Sequence, residues 1–166
     1  MKFKIGVIDH AIEKETAHEK NSMEILDQMG AEQPALAAYL AQENFSLLTE
    51  EEHDYLIFLV TVIYRLYAAK FPNLPMIDED LLDEVEEINW DKMAAVTEKK
   101  FNKRIDAFFT DFEEEDLLAF VEDALTEDEI GLVTKEGREP IFIAAKTVID
   151  ALKDWRRRGS AKEVAR

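Results

Sequence analysis

Cysteine is absent from this chain of 166 residues, which excludes disulfides, thiolate metal sites and cysteine nucleophiles together. Glycine and proline are scarce, five and four. A β-sandwich or barrel needs many turn residues and helices do not, so the shortage favours an all-α fold. No phosphate-cradling glycine loop, dinucleotide fingerprint or nucleophile elbow occurs, and no motif calls for a cofactor. Basic charge is short as well: 20 Lys and Arg stand against 37 Asp and Glu, a formal net charge of −17 with an isoelectric point near 4.5. Self-repulsion on that scale keeps a protein in solution. It argues against direct binding to nucleic acid or to an anionic membrane.

Long apolar runs are missing too. The greasiest stretch, DYLIFLVTVIYRLY, has Thr61 as its only polar side chain from Tyr55 to Tyr64 before Arg65 interrupts. Even extended through Ala69 it falls short of the roughly 18–20 residues that a bilayer requires. A helix apolar on every face, yet too short to span, belongs at the centre of a larger helical protein. Thr49 as N-cap and Glu52 three residues later form a capping box just upstream. The amino-terminal MKFKIGVIDH has only a four-residue apolar patch around Gly6, too short for a signal-peptide core. The expected setting is therefore the cytoplasm, and the Asn44-Phe45-Ser46 sequon carries no meaning there.

What is present is apolar bulk: 47% of the residues are hydrophobic, with ten Phe, four Tyr and two Trp, enough to fold on despite the charge. The length fits one domain covering residues 1–166. Residues 1–9 alternate weakly through Phe3, Ile5 and Val7, compatible with a short strand or a helical lead-in. AIEKETAHEKNSMEILDQM reads as a helix ending near Gly30 as a C-cap, and PALAAYLAQEN as a short helix opened by Pro34. The central helix spans Glu50–Lys70, and FPNLP then breaks the chain. Asp78 caps a helix with Leu81, Val85 and Ile88 at helical spacing and Leu82 and Trp90 alongside. Phe101, Ile105, Phe108 and Phe112 form one stripe, and EEEDLLAFVEDAL is short and amphipathic. Thr126 and Thr134 are cap signals. A last helix starts near Pro140 with Ile141, Ala145, Val148, Leu152 and Trp155 inward, and Gly159 and Ser160 end it before a fraying basic tail over residues 156–166. The expectation is an all-α, single-domain bundle of about six to seven helices around Glu50–Lys70.

Residues 47–66 also echo residues 132–152: each reads as a turn, a Thr cap, a charged first turn and an apolar helix, with Thr-Val-Ile recurring at 61–63 and 147–149. Short helices with similar cores, AAYL and LAFV, precede them. A duplication packing two hairpins about a pseudo-twofold would give this pattern, and so would any two capped, buried helices.

Two Glu-x-x-His motifs, Glu15 with His18 and Glu50 with His53, have the spacing by which carboxylate-bridged dimetal bundles grip a metal from one helix face. Glu84, Glu87 and Glu122 could give the further carboxylates. Against this, glutamate is so frequent that the spacing arises by chance, and His53 lies in an exposed first turn rather than at bundle depth. Residues 111–122 mimic a calcium loop, but Asp116 stands where that loop requires glycine. Nothing around Ser22, Ser46 or Ser160 supports a nucleophile. Arg65, if buried, needs a carboxylate partner; at the end of the apolar stretch it can instead reach water.

Charge is distributed in blocks. Residues 78–91 carry eight acids and no base, and residues 111–129 carry ten, with no base between Arg104 and Lys135. The carboxy-terminal KDWRRRGSAKEVAR runs the other way, with six bases against two acids. Such runs are often only the wet faces of amphipathic helices. As a docking surface they would steer a basic protein partner, or a second copy, through Asp78, Glu79, Asp80, Asp83, Glu84, Glu86 and Glu87, and through Glu113, Glu114, Glu115 and Asp116. The expected function is thus a non-catalytic interaction module: an adaptor, a regulator, or an inhibitor of the immunity type that mimics nucleic acid. The alternatives are the carboxylate-bridged metal bundle and a bundle holding a small apolar ligand among its aromatics.

Overall fold

Thr49 fixes where the most apolar helix begins. Extended at φ −66° and ψ 163°, it accepts the Glu52 N–H on its hydroxyl at 3.1 Å, and the Glu52 carboxylate accepts the Thr49 N–H at 3.0 Å. The capping box is complete. The structure, a computed structural model, describes residues 2–17, 22–42, 45–126 and 131–164, and the side chains of all of these except 17 and 155–164. His18, Asn44 and residues 127–129 of the second acidic run lie outside the described residues, as does the Trp155 side chain.

The described residues form α1 (Ile5–Ala17), α2 (Ser22–Glu32), α3 (Pro34–Leu40), α4 (Glu50–Lys70), α5 (Glu79–Ala94), the single turns α6 (Phe101–Arg104) and α7 (Asp106–Phe109), α8 (Glu115–Thr126) and α9 (Lys135–Val164), with no strand among them. The fold is an all-helical bundle. Among the described residues no helix is long and apolar enough to cross a membrane.

The α4 helix is central as its composition requires: Leu56, Leu59, Val60, Val62 and Ile63 have no exposed surface. Each such side chain stabilises the fold by roughly 1.5–3 kcal/mol relative to solvent exposure. The Thr61 hydroxyl, the polar exception of the Tyr55–Tyr64 stretch, donates to the Ile57 carbonyl at 2.7 Å and so is itself satisfied. But the centre holds two helices, not one. Residues 141–149 of α9 are buried without interruption, including Lys146 and Thr147. Ala144, Ala145, Lys146 and Thr147 lower the hydropathy of this run and disguise it, while the small alanines let a neighbour approach closely. The starts of α4 and α9 adjoin through Glu52 and Thr134, and the Tyr67 hydroxyl feels Asp150 about as far along, so the two run parallel. They are also the two segments that echo each other in sequence. The helices preceding them are placed differently: α8 packs on α9, whereas α3 leans on α2 and α5.

Of the two readings of the amino-terminal residues the helical lead-in holds, since α1 starts at Ile5. Several sequence expectations are overridden. Gly30 does not end its helix, which continues to Glu32; there Pro34 forbids continuation and Gln33 turns inward. The Gln33 side chain donates to the Pro75 carbonyl at 2.9 Å and accepts the Ile77 N–H at 2.7 Å, fastening the Pro-rich segment. Pro140 lies inside α9 rather than at its start, because Thr134 supplies a better cap, accepting the Gly137 N–H at 3.1 Å. Helical backbone continues through Gly159 and Ser160 to Val164, for a glycine within a helix costs only about 1 kcal/mol and does not by itself stop one. The Phe101, Ile105, Phe108, Phe112 stripe does face inward, but on two short turns broken at Ile105, with Asp111 at φ 56° closing the segment.

Candidate interaction surface

Asp78 opens α5 by accepting the Asp80 N–H at 3.1 Å, and Glu79 and Asp80 sit in the first turn where the helix dipole favours them. The inner face is not the one that the hydrophobic spacing suggests. Leu81, Leu82, Asn89 and Met93 are buried, Val85 is half-buried, while Ile88 is 59% and Trp90 39% exposed. A layer of polar bonds explains the rotation. Asn89 donates to Thr147 Oγ1 and to Asp150 Oδ2, both at 3.2 Å, and Lys146 Nζ donates to the same Asp150 oxygen at 2.6 Å. Next to them the Tyr39 hydroxyl donates to Glu86 Oε1 at 2.9 Å. Polar groups placed between packed helices restrict how those helices can rotate, so these bonds turn Asp80, Glu84, Glu87, Ile88 and Asp91 outward as one stripe.

Burial has opposite consequences for the groups in this layer. It raises the Tyr39 hydroxyl, with the Glu86 charge adding to the effect, and it raises Glu86 itself despite the Tyr39 bond. It lowers Lys146, which the adjacent Asp150 only partly restores. The Lys146 ammonium also lies 4.4 Å from the Phe112 ring centroid, a cation–π contact that replaces some lost hydration.

The outer face of α5 exposes Asp78, Glu79, Asp80, Asp83, Glu84 and Glu87. Ile88 stands exposed beside them, while Trp90 is exposed on the opposite flank, beside Glu86, and Met76 just ahead of the helix. Glu86 is a correction: its carboxylate turns inward to Tyr39. Glu114 is a second, 2% exposed and accepting the Phe3 N–H at 3.1 Å. That bond fastens the chain's start to the segment before α8, with the Phe3 ring edge-on to Tyr67 at 4.8 Å. Glu113 and Glu115 are exposed and Asp116 half-buried. The two acidic runs are therefore unequal as surfaces. Trp90 also borders a cleft of about 820 Å³ between the loop before α6 and the start of α9, where Lys99, Lys100, Lys135 and Arg138 are balanced by Glu122, Asp123, Glu136 and Glu139.

The described Glu-x-x-His residues, Glu15, Glu50 and His53, form no metal-ligating group. Glu15 pairs with Arg65 at 2.7 Å, and His18 lies outside the described residues. Arg65 thus combines both sequence readings, with a carboxylate partner and a side chain 43% exposed. Glu50 is exposed, while His53 Nε2 lies 2.6 Å from the Leu40 carbonyl. A carbonyl only accepts, so Nε2 carries the proton and is closed to a metal. No group of three or more metal-ligating side chains occurs among the described residues.

Sequence reasoning missed Asn89, Lys146 and Asp150. The available signal was a lysine within the otherwise apolar IFIAAKTVI, since a buried lysine requires an acid at helical spacing. Comparisons with protein-family models, with curated proteins and with solved structures find no match for this chain.

Proposed function

We propose that this protein is a non-catalytic interaction module whose α5 outer face binds a basic protein partner. One observation carries the reading: Ile88, 59% exposed, stands beside a helix stripe of exposed acids, Asp80, Glu84, Glu87 and Asp91. Interfaces combine an apolar centre and a charged rim that steers the partner. The polar layer beneath holds the helix rigid, so little ordering is needed on binding. Adaptor, regulator and inhibitor are all roles that such a face can serve. The proposed setting is the cytoplasm, where a chain without cysteine forgoes nothing.

The test is retention of basic proteins from native lysate on the immobilised chain at low and high salt. Asp80→Lys with Glu84→Lys and Glu87→Lys should reduce retention at least tenfold, as should Ile88→Ala, with the helical spectrum unchanged. Retention indifferent to salt and to both variants would refute the reading.

A further inference from the structure

A groove of about 720 Å³ runs between α1 and α4, and its bases outnumber its acids although the chain as a whole is strongly acidic. Its walls carry Lys2, Lys4, Lys14, Lys70 and Arg65, five cations against the carboxylates of Glu15 and Glu32. Both carboxylates are engaged, Glu15 by Arg65 and Glu32 by the Tyr64 hydroxyl at 2.7 Å. Apolar floor comes from Val7, Ala11, Leu66 and Ala69, and Val7 is 53% exposed. In a chain of net charge −17 such a concentration of lysine leaves the other surfaces more acidic still.

We infer that this groove receives the α5 outer face of a second copy of the chain. The inference rests on the reading of that face as a docking surface. Charge and shape agree: the stripe Asp80, Glu84, Glu87 and Asp91 surrounds Ile88, so acids meet lysines while Ile88 meets the apolar floor. Lengths agree as well. At 1.5 Å per residue α1 is about 20 Å long and α5 about 24 Å. The two surfaces cannot meet within one molecule, since α1 packs on α4 and α8 whereas α5 packs on α9 and α3. The contact therefore joins unlike surfaces of different copies, head to tail. Overall repulsion between two acidic molecules is screened beyond ~8 Å at physiological ionic strength, which leaves the local complementarity in control.

Sedimentation velocity of the purified full chain at physiological ionic strength tests this. The weight-average mass should rise with concentration above 19.1 kDa. A groove variant (Lys2→Glu, Lys4→Glu, Lys14→Glu) and a face variant (Asp80→Lys, Glu84→Lys, Glu87→Lys) change only exposed side chains, and each should lose that rise. Mixed together they should associate again in equal proportion, since the acidic face of the groove variant fits the intact groove of the face variant, and its reversed groove fits the reversed face. A wild-type chain that stays monomeric overturns the inference, as does a mixture that stays monomeric. Flotation of a monomeric chain with phosphatidylglycerol vesicles, lost in the groove variant, would instead assign the groove to lipid and overturn it equally. The groove variant keeps the α5 face and should still retain a basic partner from lysate. Self-association and partner binding can therefore fail separately.

Discussion

The carboxylate of Glu52 occupies the space that a side chain on Gly137 would need. A Cβ at Gly137 would collide with Glu52 Oε2. Glu52 is 1% exposed and accepts the Thr49 N–H on one oxygen, and the Thr134 N–H and hydroxyl on the other, at 3.1 and 3.0 Å. In the echoed segments Thr49 corresponds to Thr134 and Glu52 to Gly137. One carboxylate thus serves the starts of both central helices, and the second helix has glycine where its own capping acid would stand. Gly137→Ala should therefore destabilise the fold by about 2 kcal/mol, the scale of a lost cap, although the same change in an open helix stabilises by up to about 1 kcal/mol. Urea unfolding measures the sign. Glu52→Ala should cost at least as much.

Tyr67 offers the opposite sign. Its hydroxyl is buried without a hydrogen-bond partner among the described residues, and burial, with Glu114 and Asp150 nearby, raises its pKa. Tyr67→Phe removes an unmet donor while keeping the ring against Phe3, so it should leave stability unchanged or raise it by about 1 kcal/mol. A loss beyond that in thermal unfolding would show that the hydroxyl has a partner.

The Lys146 and Asp150 pair should respond asymmetrically. Asp150→Ala strands the ammonium in the bundle, where Lys146 is 6% exposed, and should cost about 3 kcal/mol. Lys146→Met keeps the contact with the Phe108 and Phe112 rings, leaves Asp150 bonded to Asn89, and should cost far less. Equal losses would contradict the proposed polar layer.

Stability should peak in mild acid rather than at neutrality. Burial raises Glu114 above the ordinary value of 4.5, although the Phe3 N–H and Lys153 oppose the shift, and burial raises Glu86 likewise. A carboxyl whose folded pKa is raised binds more protons folded than unfolded, so its stabilisation is full below the unfolded pKa and is lost as pH rises through the folded one. Glu52 runs the other way. Burial pushes it up, but the bonds from Thr49 and Thr134 win and hold it below 4.5, so its contribution disappears as pH falls through its folded pKa. Urea midpoints across this range should rise from neutrality toward about pH 5 and fall below about pH 4. Glu114→Gln, which keeps an acceptor for Phe3, should flatten the first limb only.

The sequence by itself determined what depends on neighbours three or four residues apart. The all-helical class, the Thr49 box with Glu52 and the buried stretch around Leu59 and Ile63 follow from capping chemistry and helical periodicity. So does the amphipathic α8, with Leu117, Leu118, Val121 and Leu125 buried. The acidity of α5 was legible for the same reason; its orientation was not. Only the tertiary structure decided that Ile88 faces out and Asn89 in, because Asn89 answers to Thr147 and Asp150 on another helix. It likewise turned Glu86 and Glu114 inward, made α9 a second centre and gathered the lysines of α1 and α4 along one groove. Each of these depends on a partner far along the chain, as Thr134 is from Glu52, 82 residues away. Local pattern carries no record of such a partner, because packing alone brings the two together.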